Sequence, residues 1–179
     1  MTLILALLLA TPPADEKATP HIKAAASAYR DAQAAATARD WQRAEKLLLT
    51  AIDIEPTFIE AYTSLVDLFL TADRPVEAGA ILTRLLQIEP NSSRDRIRLG
   101  NLLLDQRQWA RALAQFSLAL RIDPRSADAL LGFAKAADRN GMADRALEAV
   151  ERGLKAYPKD PRFSALAAEI GAREPQPQH

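Results

Sequence analysis

The stretch "AIDIEP" (Ala51–Pro56) returns in altered form as "LLQIEP" (Leu85–Pro90), "ALRIDP" (Ala119–Pro124) and "GLKAYP" (Gly153–Pro158). The four prolines, Pro56, Pro90, Pro124 and Pro158, are evenly spaced by 34 residues. Aligned on them, other columns fall into register. Ala44, Ala78, Ala112 and Ala146 form one, and Leu48, Leu82, Phe116 and Val150 a second. Ala51, Leu85, Ala119 and Gly153 form a third, and Ala32, Val66, Gly100 and Ala134 a fourth. A period kept without slippage through four copies is an internal repeat.

The columns read as two antiparallel amphipathic helices per copy. Small residues recur where helix axes must approach closely, as at Gly100 against Ala112, and Leu99, Leu103 and Phe116 fill the space beside them. One such pair cannot bury its own apolar face, but a stack of pairs can. Each proline ends its helix because it lacks the N–H and pushes the preceding residue out of the helical basin. A helix starter follows: Thr57, the run Asn91 to Ser93, Ser126, and Asp160 with Pro161 behind it. Within the fourth copy, Asn140-Gly141 marks a left-handed helix end.

The chain has 179 residues, equal numbers of basic and acidic side chains (23 each) and no cysteine. A balanced charge provides no overall drive toward nucleic acid or an anionic membrane. Without cysteine there are no disulfides, thiolate nucleophiles or zinc–thiolate sites. The two histidines, His21 and His179, lie near opposite ends, which argues against a histidine-based catalytic centre. There is no phosphate-binding glycine loop, paired-histidine motif or metal-ligand spacing. The chain therefore reads as no enzyme, with no cofactor and no metal.

The two ends differ from the middle. "LILALLLA" (Leu3–Ala10) is too short to span a bilayer, which takes about 20 residues, and fits the apolar core of a signal peptide cut after Ala10. No lysine or arginine precedes it. Residues 1–20 are read as leader and linker, which predicts a periplasmic or secreted protein, or a cytoplasmic one if the run is no signal. Residues 21–158 carry the repeats, at about 23–56, 57–90, 91–124 and 125–158. Residues 159–173 form a terminal helix, with Phe163, Leu166, Ala167 and Ile170 on its apolar side and Arg162, Glu169 and Arg173 facing water. Residues 174–179 form a Pro/Gln-rich disordered tail. The ratio of 17 Arg to 6 Lys suits a GC-rich bacterial genome.

Residues 25 to 158 resemble the tetratricopeptide repeat family, and the third copy most of all, through Leu99, Gly100, Leu103, Trp109, Ala112, Phe116, Ala119 and Pro124. The pattern departs at Asp31, Val66 and Pro75, the last of which fits the first turn of a helix. The resemblance implies an all-α fold, a right-handed α-solenoid of four helix pairs closed by a capping helix. It assigns Trp41 and Trp109 to a packing column. It also implies a concave groove lined by the first helix of each pair, with Tyr29, Arg30 and Gln33, then Glu60, Thr63, Ser64 and Asp67, then Arg94, Ile97, Arg98 and Asn101, then Asp128, Leu131 and Lys135. None of these is needed to fill the core.

From that set the candidate partner-binding residues are Tyr29, Gln33, Ser64, Asp67, Arg94, Ile97, Arg98, Asn101 and Lys135. Arg94, Arg98 and Asn101 are spaced to share one helix face, where two guanidiniums and an amide can receive a carboxylate. They stand in an Arg-rich stretch, seven Arg against three Asp from Arg94 to Arg125. Family members that clamp acidic chaperone tails use basic residues at the places of Arg94 and Arg98, but Tyr29, Gln33 and Ser64 do not match the rest of that clamp. The alternative is a solvated helix face, with Asp95 and Asp128 as partners of the arginines.

The expected function is a non-catalytic interaction module that holds a peptide or helix of another protein, in bacterial envelope or secretion-related assembly. Small-molecule turnover lacks a motif. Nucleic-acid binding is disfavoured because Glu60, Asp67 and Asp128 interrupt the basic groove. Self-assembly through the alanine-rich first helix, "AAASAYRDAQAAATA", is the competing reading.

Overall fold

The computed structural model describes residues 20–172. Among them are nine helices and no strand: α1 (Pro20–Thr37), α2 (Trp41–Ile54), α3 (Ile59–Thr71), α4 (Pro75–Ile88), α5 (Ser93–Asp105), α6 (Trp109–Ile122), α7 (Ala127–Arg139), α8 (Ala143–Ala156) and α9 (Pro161–Gly171). The fold is all-helical and built from antiparallel pairs, as the repeat predicts. All of the expected leader but Pro20, together with Arg173 and the tail 174–179, lies outside the described residues.

The four prolines have one structural job. Each is the second residue of a turn closed by a backbone bond: Phe58 to Glu55 (3.0 Å), Ser92 to Glu89 (3.3 Å), Ser126 to Asp123 (3.2 Å) and Asp160 to Tyr157 (3.0 Å). Proline presets φ for that position. Ser92, Ser126 and Asp160 then cap α5, α7 and α9 by accepting from Asp95, Ala129 and Arg162. Thr57 departs from its expected role as a starter. Its N–H and hydroxyl both turn back to the Glu55 carboxylate, and α3 begins two residues later. Those bonds, led by the Thr57 hydroxyl, hold the Glu55 carboxyl below its ordinary pKa.

The turns inside the pairs are equally periodic. Arg39, Asp73, Arg107 and Gly141 all have positive φ (61°, 54°, 58° and 77°) and recur at the repeat spacing. In each turn, the next residue's N–H reaches back five positions: Asp40 to Ala35, Arg74 to Phe69, Gln108 to Leu103 and Met142 to Ala137. This is the left-handed helix stop that satisfies the last carbonyls. Only the fourth copy meets it with glycine. Pro75 sits at the first position of α4, as expected.

The chain forms two compact units, divided within α3 between Ala61 and Tyr62. In the first unit α1 packs on α2. Ala25, Ala28, Ala32 and Ala35 are the buried residues of α1, and Ala44, Leu48, Ala51 and Ile52 those of α2. Each alanine methyl contributes only about 0.8 kcal/mol of burial, so α1 provides close approach more than area. Asp31 is exposed, which explains why a charge is tolerated there. Trp41, expected in the core, is 45% exposed. It is the first residue of α2, at the edge of the pair, where only part of the ring is covered.

In the second unit α5 pairs with α6 and α7 with α8, α6 packs on α7, and α9 lies on α8 and α7. Phe116 is fully buried between two glycines. A Cβ on Gly100 would lie 2.7 Å from its ring, and one on Gly132 would lie 2.2 Å away. Phe163 of α9, also fully buried, occupies the space over Gly153 in the same manner, at 2.0 Å from a hypothetical Cβ. The terminal helix is thus anchored by a phenylalanine inserted where the column has lost its side chain.

Candidate functional site

Within the second unit α5, α7 and α9 lie side by side, α5 on α7 and α7 on α9. Position 3 of this helix face is alanine in α3 (Ala61) and α7 (Ala129), both fully buried, but aspartate in α5. Asp95 is likewise 0% exposed. Its backbone N–H donates to Ser92 Oγ (3.3 Å), and the Ser92 hydroxyl donates back to Asp95 Oδ2 (2.6 Å), a reciprocal cap at the start of α5. The helix N-terminus also favours a carboxylate here. Oδ1 accepts no hydrogen bond and lies 3.7 Å from Arg94 Nε and 3.8 Å from an Arg98 guanidinium nitrogen.

Arg98 is also hydrogen-bonded to Asp67 of α3. Its guanidinium is therefore shared between two carboxylates. Arg94 is mostly exposed and has Asp95 as its near charge. The expected second partner, Asp128, instead binds Arg162 of α9 at 2.8 Å. Arg162 is also bonded to Asp160, and the two carboxylates make its proton harder to remove than an isolated arginine's. Reciprocally, Arg162 holds the Asp160 carboxyl below its ordinary pKa. Arg139 pairs with Glu169 at 3.1 Å. The arginines of this face are thus tied to carboxylates of neighbouring helices, apart from the loosely held Arg94.

Two openings lie along α5, α7 and α9. The larger, about 790 Å³, has Leu104, Trp109 and Leu166 as apolar wall and Asp105, Arg107, Asp138, Arg139 and Glu169 as charged rim. The smaller, about 270 Å³, is bounded by Ile97, Leu131, Gly132, Asp128 and Arg162. Asn101 and Lys135 line both. Both side chains are exposed and have no hydrogen-bond or ionic partner among the described residues.

Of the sequence candidates, Ile97, Asn101 and Lys135 are brought together at these openings. Asp67, Arg94 and Arg98 form the adjoining ion-paired cluster. Ser64 is half-buried on α3. Tyr29 and Gln33 belong to the first unit, where Tyr29 is half-buried with its ring 5.2 Å from Phe58, and Gln33 is exposed. Leu131, expected to be free for a ligand, is 6% exposed and contributes to the core as well as to the wall. Sequence reading missed Leu104, Trp109 and Leu166. Leu104 follows Leu102 and Leu103 with nothing in the sequence to set it apart from them, and the repeat register places Trp109 in a packing column. Among the described residues no cluster of acidic or histidine side chains is placed to hold a metal, and no helix is long and apolar enough to cross a membrane.

Two tetratricopeptide repeat family models match the chain, at residues 29–93 and 103–170. The chain belongs to the tetratricopeptide repeat family. It is accordingly a repeat scaffold of a protein-interaction family that is typically non-catalytic. Solved structures agree on the fold. The MamA protein (41-end) from Desulfovibrio magneticus RS-1 superimposes with a TM-score of 0.73 at 17% identity, over 87% of this chain and 86% of that one. YrrB, described as a TPR protein with an unusual peptide-binding site, gives 0.67 at 19% identity, over 79% and 73%. PilF of Pseudomonas aeruginosa gives 0.64 at 17% identity, over 85% and 69%. No curated protein matches.

Proposed function

We propose that this tetratricopeptide repeat protein holds a peptide or helix of a partner protein along α5, α7 and α9. The observation that carries this reading is the pair of adjoining openings that share Asn101 and Lys135. Two unpartnered polar groups stand there between apolar walls, the arrangement a peptide site needs: side-chain pockets for affinity and a few polar groups to fix the main chain. The peptide-binding site ascribed to YrrB supports the same use of the fold. The acidic-segment receptor expected at Arg94 and Arg98 fits less well, since Arg98 already has two carboxylates. The setting we favour is bacterial envelope or secretion-related assembly, with the chain exported to the periplasm, in keeping with the apolar run Leu3–Ala10.

The test is affinity capture with the intact chain and with an Asn101→Asp/Lys135→Glu variant, both positions being exposed and outside the core. A partner held by the first and lost by the second supports the site. A partner held equally by both places binding elsewhere.

Self-association is a second reading, favoured by the exposed Ile22 (43%) and Trp41 (45%) of the first unit. A sedimentation coefficient that rises with concentration, and stops rising in Ile22→Glu/Trp41→Glu, supports it.

A further inference from the structure

Arg121 of α6 and Arg145 and Arg152 of α8 behave differently from the arginines described above. Both α6 and α8 pack on α7, and a cleft of about 300 Å³ opens between them. Its apolar floor is the half-buried Phe133 of α7, with Leu120 of α6 and Ala149 of α8 beside it. Its walls carry Arg121 from α6, and Arg145 and Arg152 from α8. Arg145, Glu148 and Arg152 follow at i, i+3 and i+7, so they form one stripe along α8.

None of these three guanidiniums has a carboxylate partner among the described residues, whereas Arg98, Arg139 and Arg162 each do. Arg145 lies over the Phe133 ring, 5.2 Å from its centroid, and touches the Met142 sulfur at 3.7 Å. Arg152 donates to the Pro124 carbonyl at 3.2 Å. The Arg121 side chain makes no hydrogen bond among the described residues. Among the described residues the cleft is lined by a single acid, Glu148, which also has no ionic partner there. Three forked cations over an apolar floor, opposed by one carboxylate, present more positive charge than the cleft neutralises.

We infer that the α6/α8 cleft is a second docking site, for an acidic peptide segment that sets an aliphatic or aromatic side chain on Phe133 and Leu120 and its flanking carboxylates on Arg121, Arg145 and Arg152. Charge complementarity selects the acid, and the forked guanidinium geometry matches carboxylates pairwise. The apolar floor selects the side chain between them. A phosphate backbone or a flat anionic bilayer fits less well, because α8 also exposes Asp144 and Glu151, which repel an extended anionic surface but not a segment confined to the cleft. The site is independent of the proposed inner-face groove and shares no residue with it.

The experiment is selection of a randomised peptide display library on the full chain, followed by fluorescence anisotropy with the selected peptides. The expected result is a class of acidic sequences with a central apolar residue. Their affinity falls as salt is raised, and falls roughly tenfold or more in Arg121→Ala/Arg145→Ala/Arg152→Ala. Binding of that class persists in Asn101→Asp/Lys135→Glu, and circular dichroism of the triple variant matches the parent. Selection of no acidic class, or of an acidic class that the triple variant binds unchanged, overturns the inference. So does triple-dependent binding of phosphatidylglycerol vesicles without any such peptides, since the occupant is then a lipid surface.

Discussion

The third repeat (α5 and α6) and the fourth (α7 and α8) share a backbone plan and fill it in opposite ways. The third carries bulk and charge where the fourth carries small residues: Phe116 against Val150, Asp95 against Ala129, Arg98 against Gly132, Arg107 against Gly141. The difference is accommodated between repeats more than within them. Gly132 of the fourth repeat is empty because the Phe116 ring of the third occupies its side-chain space. Gly153 is empty because Phe163 of α9 occupies the next such space. What the stack conserves is the volume at each junction, so a residue that looks anomalous in one copy is explained by its neighbour.

The strongest way to break this comparison is at Phe116. Phe116→Ala opens a cavity lined by two glycines that have no side chains to refill it, and a loss of about 3–5 kcal/mol is expected. Val150→Ala, at the same position one repeat later, costs less because fewer atoms leave. The reciprocal change, Gly132→Ala, drives a methyl into the ring, which cannot withdraw because Gly100 bounds its other side. Destabilisation of about 1–3 kcal/mol is expected, relieved in the Phe116→Leu background. Urea denaturation of the single and double variants measures both. Additive losses would show that the ring and the glycine are not coupled.

The periodic prolines, the helix pairs, the capping helix and the four repeats were legible because they depend on local chemistry: a residue without an N–H, small residues in register, serine and aspartate caps. The junctions were not, because each joins residues whose relation exists only after stacking. Nothing near Gly132 in the sequence points to Phe116. The same limit applied at the candidate site. The repeat register predicts Asn101 and Lys135 on the first helices of their pairs, but not the commitment of Arg98 to Asp67 or of Arg162 to Asp128. Those pairs bridge separate helices. The cleft of Arg121, Arg145 and Arg152 was invisible for the same reason, with its walls on two helices.

Asp95 offers a sharper and smaller test. Its carboxylate is fully buried, yet the guanidiniums it faces are not, since Arg98 is about one-fifth exposed and Arg94 mostly so. Removing one member of a wholly buried pair costs about 3–5 kcal/mol because the other charge is stranded in a dry interior. In Asp95→Ala both arginines keep access to water and Arg98 keeps Asp67. What is lost is the bond from the Ser92 hydroxyl to the carboxylate and the attraction of the helix terminus, while the backbone N–H at position 95 still donates to Ser92. The expected cost is only about 1 kcal/mol, read from chemical denaturation. A loss as large as that of a buried pair would mean that Arg94 and Arg98 are locked with Asp95 as one unit, and the third repeat would differ from the fourth in kind.

The smallest expected effect tests the turns. Arg107 holds positive φ, a conformation that costs a side-chain-bearing residue roughly 1–2 kcal/mol, while glycine in its place costs more entropy on folding, about 0.5–1 kcal/mol. Arg107→Gly is therefore expected to stabilise the chain by up to about 1 kcal/mol, and Gly141→Arg to destabilise it by a similar amount. Thermal unfolding of both variants checks the pair. Arg107 is also on the rim of the larger opening, and Gly141 is on neither opening. If Arg107→Gly gains stability while the captured partner is weakened, the strain is retained because the arginine serves binding. If stability rises and binding is unchanged, the left-handed arginine has no role at the groove, and the third repeat's turn differs from the fourth's only in composition.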